Sequence, residues 1–357
     1  MFPPELEAIE KSANIKLANL RAAEERSKKK SDELRDSIKE EFDALSKKGV
    51  QLDDIELLIM GSIARKEVTE GSDCDYLLVS AATPPHESIV ASLNAVERVV
   101  VKDLKLVEPG SQGVFGEFIT AAELFIRVGL ERDSNLNMTR RMSILLESES
   151  FRVSGIRDMV IARIVERYCA KYSPTYGREK EDPVRVPRFL VNDLMRYWRT
   201  IAVDFEAKRW TSPKDGWGLR YTKLLSTRKI MFAGSLASYL TAGKHLDALN
   251  LDTVDARYKQ LMEYVISESN KPPIARLAAI YSFLDEGVKE KLVQCIICYD
   301  KVIQILNQPS AKTALKAGES GEMKDIMKLT SGLNLLLEDV FFEDSFMSPL
   351  TKGYTLF

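Results

Sequence analysis

The chain has 357 residues, of which 45% are hydrophobic and 29% are charged. This length allows two or three domains, and this composition is typical of globular proteins and excludes a largely disordered chain. The formal net charge of −2 disfavours a protein that binds nucleic acid through bulk positive charge. A basic surface confined to one region of the chain remains compatible with this total.

The first 48 residues are predicted to form a helical arm in two pieces. Apolar residues recur there at helical spacing, which predicts a helix that packs on a core. The members of this stripe are Leu34, Ile38, Phe42 and Leu45. The eleven basic and eleven acidic residues of positions 1–50 cancel, so a solvated helix is favoured over a nucleic-acid tail.

Residues 49–150 are predicted to form a small domain with a mixed sheet. Two apolar runs predict strands at 55–60 and 74–79, joined by a Gly-Ser turn and a short helix over 63–68. A helix over 86–98 is expected next, followed by a third strand from Val99 to Val107 that carries Asp103. Farther along the chain, the spacing of apolar residues predicts helices over 120–131, 135–149 and 152–172.

The rest of the chain, 151–357, is predicted to be an all-helical domain, with a polar, proline-punctuated linker near 173–188. Apolar residues three and four apart predict helices over 187–208, 218–241, 251–267, 272–286, 288–307 and 324–338. Turn signals over 309–321 indicate a looser segment. The predicted fold class is therefore α+β: an N-terminal helix, a small mixed-sheet domain and an all-helical C-terminal domain.

Two carboxylates mark the start of the second predicted strand. Asp73 and Asp75 are two residues apart, so an extended chain points both side chains to one face of the sheet. Carboxylates held this close repel each other unless a cation lies between them, and a divalent metal ion is the usual one. A solvated Asp-Cys-Asp would be the default for an isolated pair, but together with the Gly-Ser pair upstream the spacing predicts a metal site.

Gly61-Ser62 lies between a predicted strand and a predicted helix, where a backbone can approach an anion closely. Glycine permits that approach, a helix N-terminus presents unpaired N–H groups, and the serine hydroxyl adds a donor. A triphosphate is the expected ligand, and the acids one strand away could hold Mg²⁺ against its phosphates.

The pair Gly61-Ser62, followed after ten residues by Asp73-Cys74-Asp75, resembles the signature of the polymerase-beta-type nucleotidyltransferase superfamily. The run Asp103–Leu106, with the turn Pro109–Gly113, is similar to the third-aspartate strand and glycine turn of glutamine synthetase adenylyltransferases. The run Leu145–Ser148 is similar to part of the helix that follows the catalytic domain of PII uridylyltransferases. The resemblance is strongest at the first two motifs.

The resemblance implies a nucleotidyltransferase domain that uses two Mg²⁺ ions, with Mn²⁺ as an alternative. By that resemblance, Asp73 and Asp75 bind both metals, and Asp103 binds the catalytic metal and orients or deprotonates the acceptor hydroxyl. Gly61 and Ser62 would hold the β- and γ-phosphates.

Two further acids, Glu108 and Glu117, are alternatives to Asp103 if the strand register differs. The sequence lacks the adjacent His-Asp pair of the uridylyltransferases, so their metal-dependent removal activity is not expected.

Residues 185–229 contain eleven basic and four acidic residues, an excess that the near-neutral whole conceals. Two helical faces gather this charge: Arg188, Asn192, Arg196 and Arg199 on one helix, and Arg220, Lys223 and Thr227 on the next. A solvated basic face and a positive wall that contacts triphosphate or RNA both fit this pattern. On the second interpretation Arg196 and Lys223 are candidate nucleotide-binding residues.

The same region contains three tryptophans. Packing is favoured over base stacking for each of Trp198, Trp210 and Trp217.

The predicted function is Mg²⁺-dependent transfer of a nucleoside monophosphate from a nucleoside triphosphate, such as ATP, to a hydroxyl of a protein or RNA acceptor, with release of pyrophosphate. The alternative is a non-catalytic nucleotide-binding regulator or antitoxin-like module. A cytoplasmic protein with no membrane partner is expected, because no secretory signal, bilayer-length apolar run or disulfide framework is seen in the sequence.

Overall fold

The computed structural model describes residues 2–104, 106–107, 113–152, 155–169, 186–211, 216–251, 253–317 and 321–355. These residues are mostly helical and contain one four-stranded mixed sheet, which confirms the predicted α+β class. The chain divides into a sheet unit, Ala23–Arg167, and a helical unit, Met1–Ala22 with Tyr168–Phe357. The linker expected near 173–188 lies almost entirely outside the described residues.

The sheet unit is built on four short strands. Its strands are β1 (Ile55–Met60), β2 (Asp75–Ser80), β3 (Glu117–Thr120) and β4 (Glu149–Ser150). Its helices are the greater part of α2 (Ala18–Lys47), α3 (His86–Glu97), α4 (Ala121–Phe125), α5 (Asn135–Glu147) and α6 (Ile156–Tyr168). The sheet order is β3-β2-β1-β4, with β1 antiparallel to β2 and β4 and with β2 parallel to β3.

One face of this sheet packs on α2 and α3. Alternate residues of the strands, such as Leu57 and Leu78, are fully buried in one core cluster with Leu34 and Ile38 of α2 and Val96 of α3. The apolar stripe predicted within the N-terminal arm is therefore a core-packing stripe, as expected from its helical spacing. The strand period of two leaves the other sheet face for the side chains in between.

The predicted third strand is wrong. The residues from Arg98 to Asp103 continue α3 as a π-helix, and the third strand of the sheet is β3, fourteen residues later in the chain than Asp103. Val99 and Val100 gave the strand signal through their β-branched side chains, but both are fully buried in the α2–α3 core, where packing overrides local propensity.

The predicted helix over 63–68 is also wrong. Residues 61–66 form a set of hydrogen-bonded turns instead, named here the Gly-Ser turn. Its last residue, Lys66, has a φ of +63°, a left-handed conformation that stops a right-handed helix. The segment is therefore too short to present a true helix N-terminus.

The helical unit contains the remaining helices. They are α1 (Pro4–Ala13), α7 (Arg188–Thr211), α8 (Trp217–Lys223), α9 (Lys229–Ala248), α10 (Val254–Ser269), α11 (Pro273–Ala279), α12 (Glu286–Leu306), α13 (Pro309–Ala317), α14 (Gly321–Phe342) and α15 (Met347–Thr355). A π-helix, Leu224–Arg228, separates α8 from α9, so the single helix predicted over 218–241 is interrupted. The segment expected to be loose at 309–321 contains α13.

Packing in the helical unit is dominated by α9 against α11 and by α12 against α14. In the pair α9–α11, Gly234 lies so close to the carbonyl oxygen of Pro273 that an added Cβ would be 2.0 Å from it. Among the described residues, no helix combines the length and the apolar character that crossing a bilayer requires.

Candidate functional site

The two predicted acids lie at the entrance of β2. Asp75 is its first residue and pairs in register with Met60, and Asp73 forms a parallel bridge with Val107. Cys74 between them is fully buried in the α2–α3 core, so Asp73 and Asp75 lie on the opposite face. Both are partly exposed, and the shared face predicted from their spacing is confirmed.

The thiol between the acids is unsuited to chemistry. Burial raises the pKa of the Cys74 thiol, and the negative charges of Asp75 and Asp73 raise it further. A thiol held protonated is neither a metal ligand nor a nucleophile. The carboxylates are therefore the chemical groups of this motif.

The Gly-Ser turn touches the acid motif. Gly61 follows the last residue of β1 and has a φ of +73°. A Cβ added at Gly61 would lie 3.1 Å from Oδ2 of Asp75, so glycine is needed both for the backbone conformation and for the close approach. The sequence predicted these motifs one strand apart, and the antiparallel pairing of β1 and β2 makes them neighbours.

The Ser62 hydroxyl is a further polar group at this turn. Its oxygen is buried and has no hydrogen-bond partner within the described part of the chain. Buried hydroxyls in folded proteins are almost always paired, and an exception calls for an explanation such as a ligand. A donor at this position is what the predicted phosphate contact requires.

Backbone hydrogen bonds close the Gly-Ser turn. The amide of Arg65 donates to the carbonyl oxygen of Gly61 at 3.0 Å, and the amide of Glu67 donates to that of Ser62 at 2.8 Å. Side chains then hold the end of the turn: the guanidinium of Arg65 binds Glu67 at 2.8 Å and also pairs with Glu147, the last residue of α5. The conformation of the turn is thus fixed by backbone hydrogen bonds within it and by ion pairs at its end.

Helix α2 holds the segment between the two motifs. The hydroxyl of Ser27 accepts a hydrogen bond from the amide of Val68 at 3.0 Å, and Nε of Arg26 donates to the carbonyl oxygen of Val68 at 3.0 Å. Burial lowers the pKa of the Arg26 guanidinium. Both backbone groups of Val68 are therefore satisfied by α2, which makes this helix part of the support of the site.

The third acid is placed differently from the prediction. Asp103 ends the π-helix and is exposed, so it does not lie on a strand beside β2. Glu108 lies outside the described residues. Glu117, the remaining alternative, begins β3 and pairs in parallel register with Leu77, so it is on the same sheet face as Asp75.

A buried arginine anchors the backbone just before Glu117. Arg140 of α5 donates from Nε to the carbonyl oxygen of Val114 at 2.9 Å and from Nη2 to that of Gly113 at 2.8 Å. Burial lowers the pKa of Arg140, and the charges of Glu117 and Glu123 partly oppose that change. The backbone that leads into β3 is therefore held by a buried cation.

The two predicted basic ligands belong to the helical unit. Arg196 of α7 is partly exposed and lies 3.8 Å from Asp193 on the same helix, while Lys223 ends α8 just before the π-helix. The apolar face predicted for α7 is confirmed, because Leu194 and Ile201 are buried. The role of Arg196 and Lys223 as nucleotide ligands stays a prediction.

The three tryptophans do not behave alike. Trp198 stacks on Phe232 with ring centroids 5.2 Å apart, and Trp217 packs against the cluster that contains Leu315, so packing is confirmed for both. Trp210 is 84% exposed, which is opposite to the packing expected for it. It lies near the end of α7.

The ion pairs around the Gly-Ser turn were not predicted from the sequence. The only local signal was two basic residues followed by an acidic one, Arg65-Lys66-Glu67, which is common on any surface. Two of the partners, Glu147 and Glu149, lie more than eighty positions away, and no local pattern links such distant residues.

Comparison with known proteins adds no assignment. No protein-family model matches this chain, and a search of curated proteins finds no match. The resemblance to polymerase-beta-type nucleotidyltransferases therefore stays a prediction based on the motifs themselves.

Proposed function

We propose that the chain is a Mg²⁺-dependent nucleotidyltransferase that moves a nucleoside monophosphate from a nucleoside triphosphate to a hydroxyl of a protein or RNA acceptor and releases pyrophosphate. The observation that carries the proposal is the approach of Gly61 to the carboxylate of Asp75. It brings a turn that offers the close approach of a glycine and the donor of the Ser62 hydroxyl against an acid suited to a metal ion. The Gly-Ser turn and the acid motif thus form one candidate site where β1 ends and β2 begins.

The side chains present fit Mg²⁺. Asp73 and Asp75 offer only carboxylate oxygens, which are the ligands that this hard cation prefers. Within the described residues no three His, Cys, Asp or Glu side chains already converge as a metal group. Oxygens of the triphosphate and water would complete the set, as is usual for Mg²⁺ bound with phosphates. When bound, Mg²⁺ neutralises phosphate charge and lowers the pKa of the attacking hydroxyl.

The reaction is an in-line displacement at the α-phosphorus. The acceptor oxygen forms a bond to that phosphorus, and the bond to the oxygen that bridges to the β-phosphorus breaks, so pyrophosphate leaves with the electron pair. We assign the acceptor of the hydroxyl proton to Glu117 in place of Asp103, because Glu117 shares the sheet face of Asp75. The Ser62 hydroxyl donates to a phosphate oxygen.

The test is to incubate the full chain with each labelled nucleoside triphosphate, Mg²⁺ and a cell extract, and to identify products by mass spectrometry. We expect the mass of one nucleoside monophosphate on a protein or RNA species, with none for an Asp73→Asn/Asp75→Asn variant. Binding of a triphosphate without any transfer would favour the non-catalytic module. Neither binding nor transfer, with Mg²⁺ or Mn²⁺, would overturn the proposal.

A further inference from the structure

Arg65 occupies a site in which one guanidinium serves two nearly buried carboxylates. Its side chain is 11% exposed, and those of Glu67 and Glu147 are 1% and 8% exposed. Removing charges from water is costly, and a buried ion pair stabilises a fold no better on average than apolar side chains of the same volume. Simple stabilisation is therefore a poor explanation for this arrangement.

The geometry of the pairing supports a positioning role instead. Nε of Arg65 binds Glu67 and Nη1 binds Glu147, so the planar fork links the end of the Gly-Ser turn to the end of α5. A lysine ammonium has no such fork. The adjacent Lys66 pairs with Glu149 of β4, which adds a second tie between the turn and the strand beside β1.

The backbone carries this restraint to the phosphate-binding residues. Glu67 donates its amide to the carbonyl oxygen of Ser62, and Arg65 donates its amide to that of Gly61. Fixing the side chain of Arg65 therefore fixes Gly61 and Ser62 through two main-chain hydrogen bonds. Gly61 in turn lies against Asp75.

We propose that Arg65 is a positioning residue, which uses Glu67 and Glu147 to hold the Gly-Ser turn in the conformation that binds the β- and γ-phosphates of the nucleotide. The inference rests on the proposed nucleotidyltransferase function. Since Arg65 is occupied by carboxylates, it acts through the turn and not by direct contact with phosphate.

The proposal predicts a selective loss of affinity. Glu147→Gln keeps the shape of its side chain and removes the charge, and Arg65→Gln removes the guanidinium but keeps a polar side chain, so both weaken the link. We expect each to reduce triphosphate affinity by about ten- to 100-fold, since small misplacements of positioning groups have effects of that size. Monophosphates lack the phosphates that the turn would hold, so their affinity should change less than about threefold.

The experiment uses the full chain and measures competition by ATP, GTP, CTP and UTP, and by their monophosphates, against a fluorescent triphosphate. Arg163→Gln is the matched control, because Arg163 of α6 forms an exposed pair with Glu166. Melting temperatures establish that each variant is folded, and Glu147→Gln, the isosteric change, stands in if Arg65→Gln does not fold.

The outcomes separate this inference from the proposed function. A drop in the triphosphate-to-monophosphate affinity ratio for both variants, with no drop for the control, supports the positioning role. An unchanged ratio, or equal losses for both ligands, overturns it while the nucleotidyltransferase proposal stands. No triphosphate binding by the unmutated protein overturns both.

Discussion

The sheet unit and the helical unit bury arginine for different purposes. In the sheet unit, Arg65 is held by carboxylates, among them Glu147, and these partners fix a turn beside the candidate acids. In the helical unit, the fully buried Arg276 of α11 donates at 2.8 Å to the hydroxyl of Ser235 on α9 and at 2.8 Å to the carbonyl oxygen of Glu268 on α10. The first arrangement shapes a loop, whereas the second joins three packed helices.

The same contrast holds for the residues predicted to bind the nucleotide. In the sheet unit, Gly61 and Asp75 approach each other because β1 and β2 are paired in register. In the helical unit, Arg196 lies 3.8 Å from Asp193 of its own helix. The paired strands and the close approach of Gly61 to Asp75 therefore support the chemistry in the sheet unit.

The largest effect is expected from Asp75→Asn. The change keeps the size of the side chain and the contact with Gly61 but removes a charge that a metal ion needs. Loss of several kcal/mol of transition-state stabilisation corresponds to a decrease in transfer rate of about 10³-fold or more. Steady-state transfer assays measure this, with Asp32→Asn, an exposed acid of α2, as the control. Retention of the full rate in Asp75→Asn would contradict the assignment of the transfer chemistry to the sheet unit.

Comparing two single variants tests whether Glu117 or Asp103 is the third acid of the site. Glu117→Gln should lower the transfer rate by about 10²-fold or more, the usual effect of losing a general base. Asp103→Asn should leave the rate within about twofold, because Asp103 ends the π-helix and lies on no strand of the sheet that carries Asp75. Rate measurements at saturating triphosphate give the comparison. The reverse result would restore the assignment made from the sequence.

Gly61→Ala should impair the site through the backbone. A non-glycine residue at a left-handed φ costs about 1–2 kcal/mol, and the added Cβ would press on Oδ2 of Asp75 at 3.1 Å. We expect transfer to fall by about ten- to 100-fold, since small misplacements of reacting groups have effects of this size. Gly71→Ala is the matched control: Gly71 has a φ of +68° and no atom near an added Cβ. An equal decrease in both variants would show that backbone strain, and not the contact with Asp75, matters.

How much the sequence predicts follows from the range of the interactions. Asp73 and Asp75 share a face because the strand period is a local property, and this was predictable. The choice of Glu117 over Asp103 depends on which segment pairs with β2, and the burial of Val99 and Val100 in the core keeps the segment before Asp103 helical. Arg65 was unpredictable as a positioning residue, since its partner at Glu147 comes from a distant helix.

The smallest effects are expected in the helical unit, from Arg196→Gln and Lys223→Gln. If either side chain contacts the triphosphate, its loss should raise KM for the nucleotide by about three- to tenfold and leave kcat nearly unchanged, as expected for a charge-assisted contact made equally in the ground and transition states. Arg209→Gln is the control, since Arg209 is an exposed residue near the end of α7 that lies 3.7 Å from Glu206. A larger effect on kcat than on KM would instead place these residues in the transition state, and the helical unit would then share the chemistry that the described geometry supports in the sheet unit. No change in either parameter would assign the basic faces of α7 and α8 to solvation, the simpler of the two interpretations that their sequence allows.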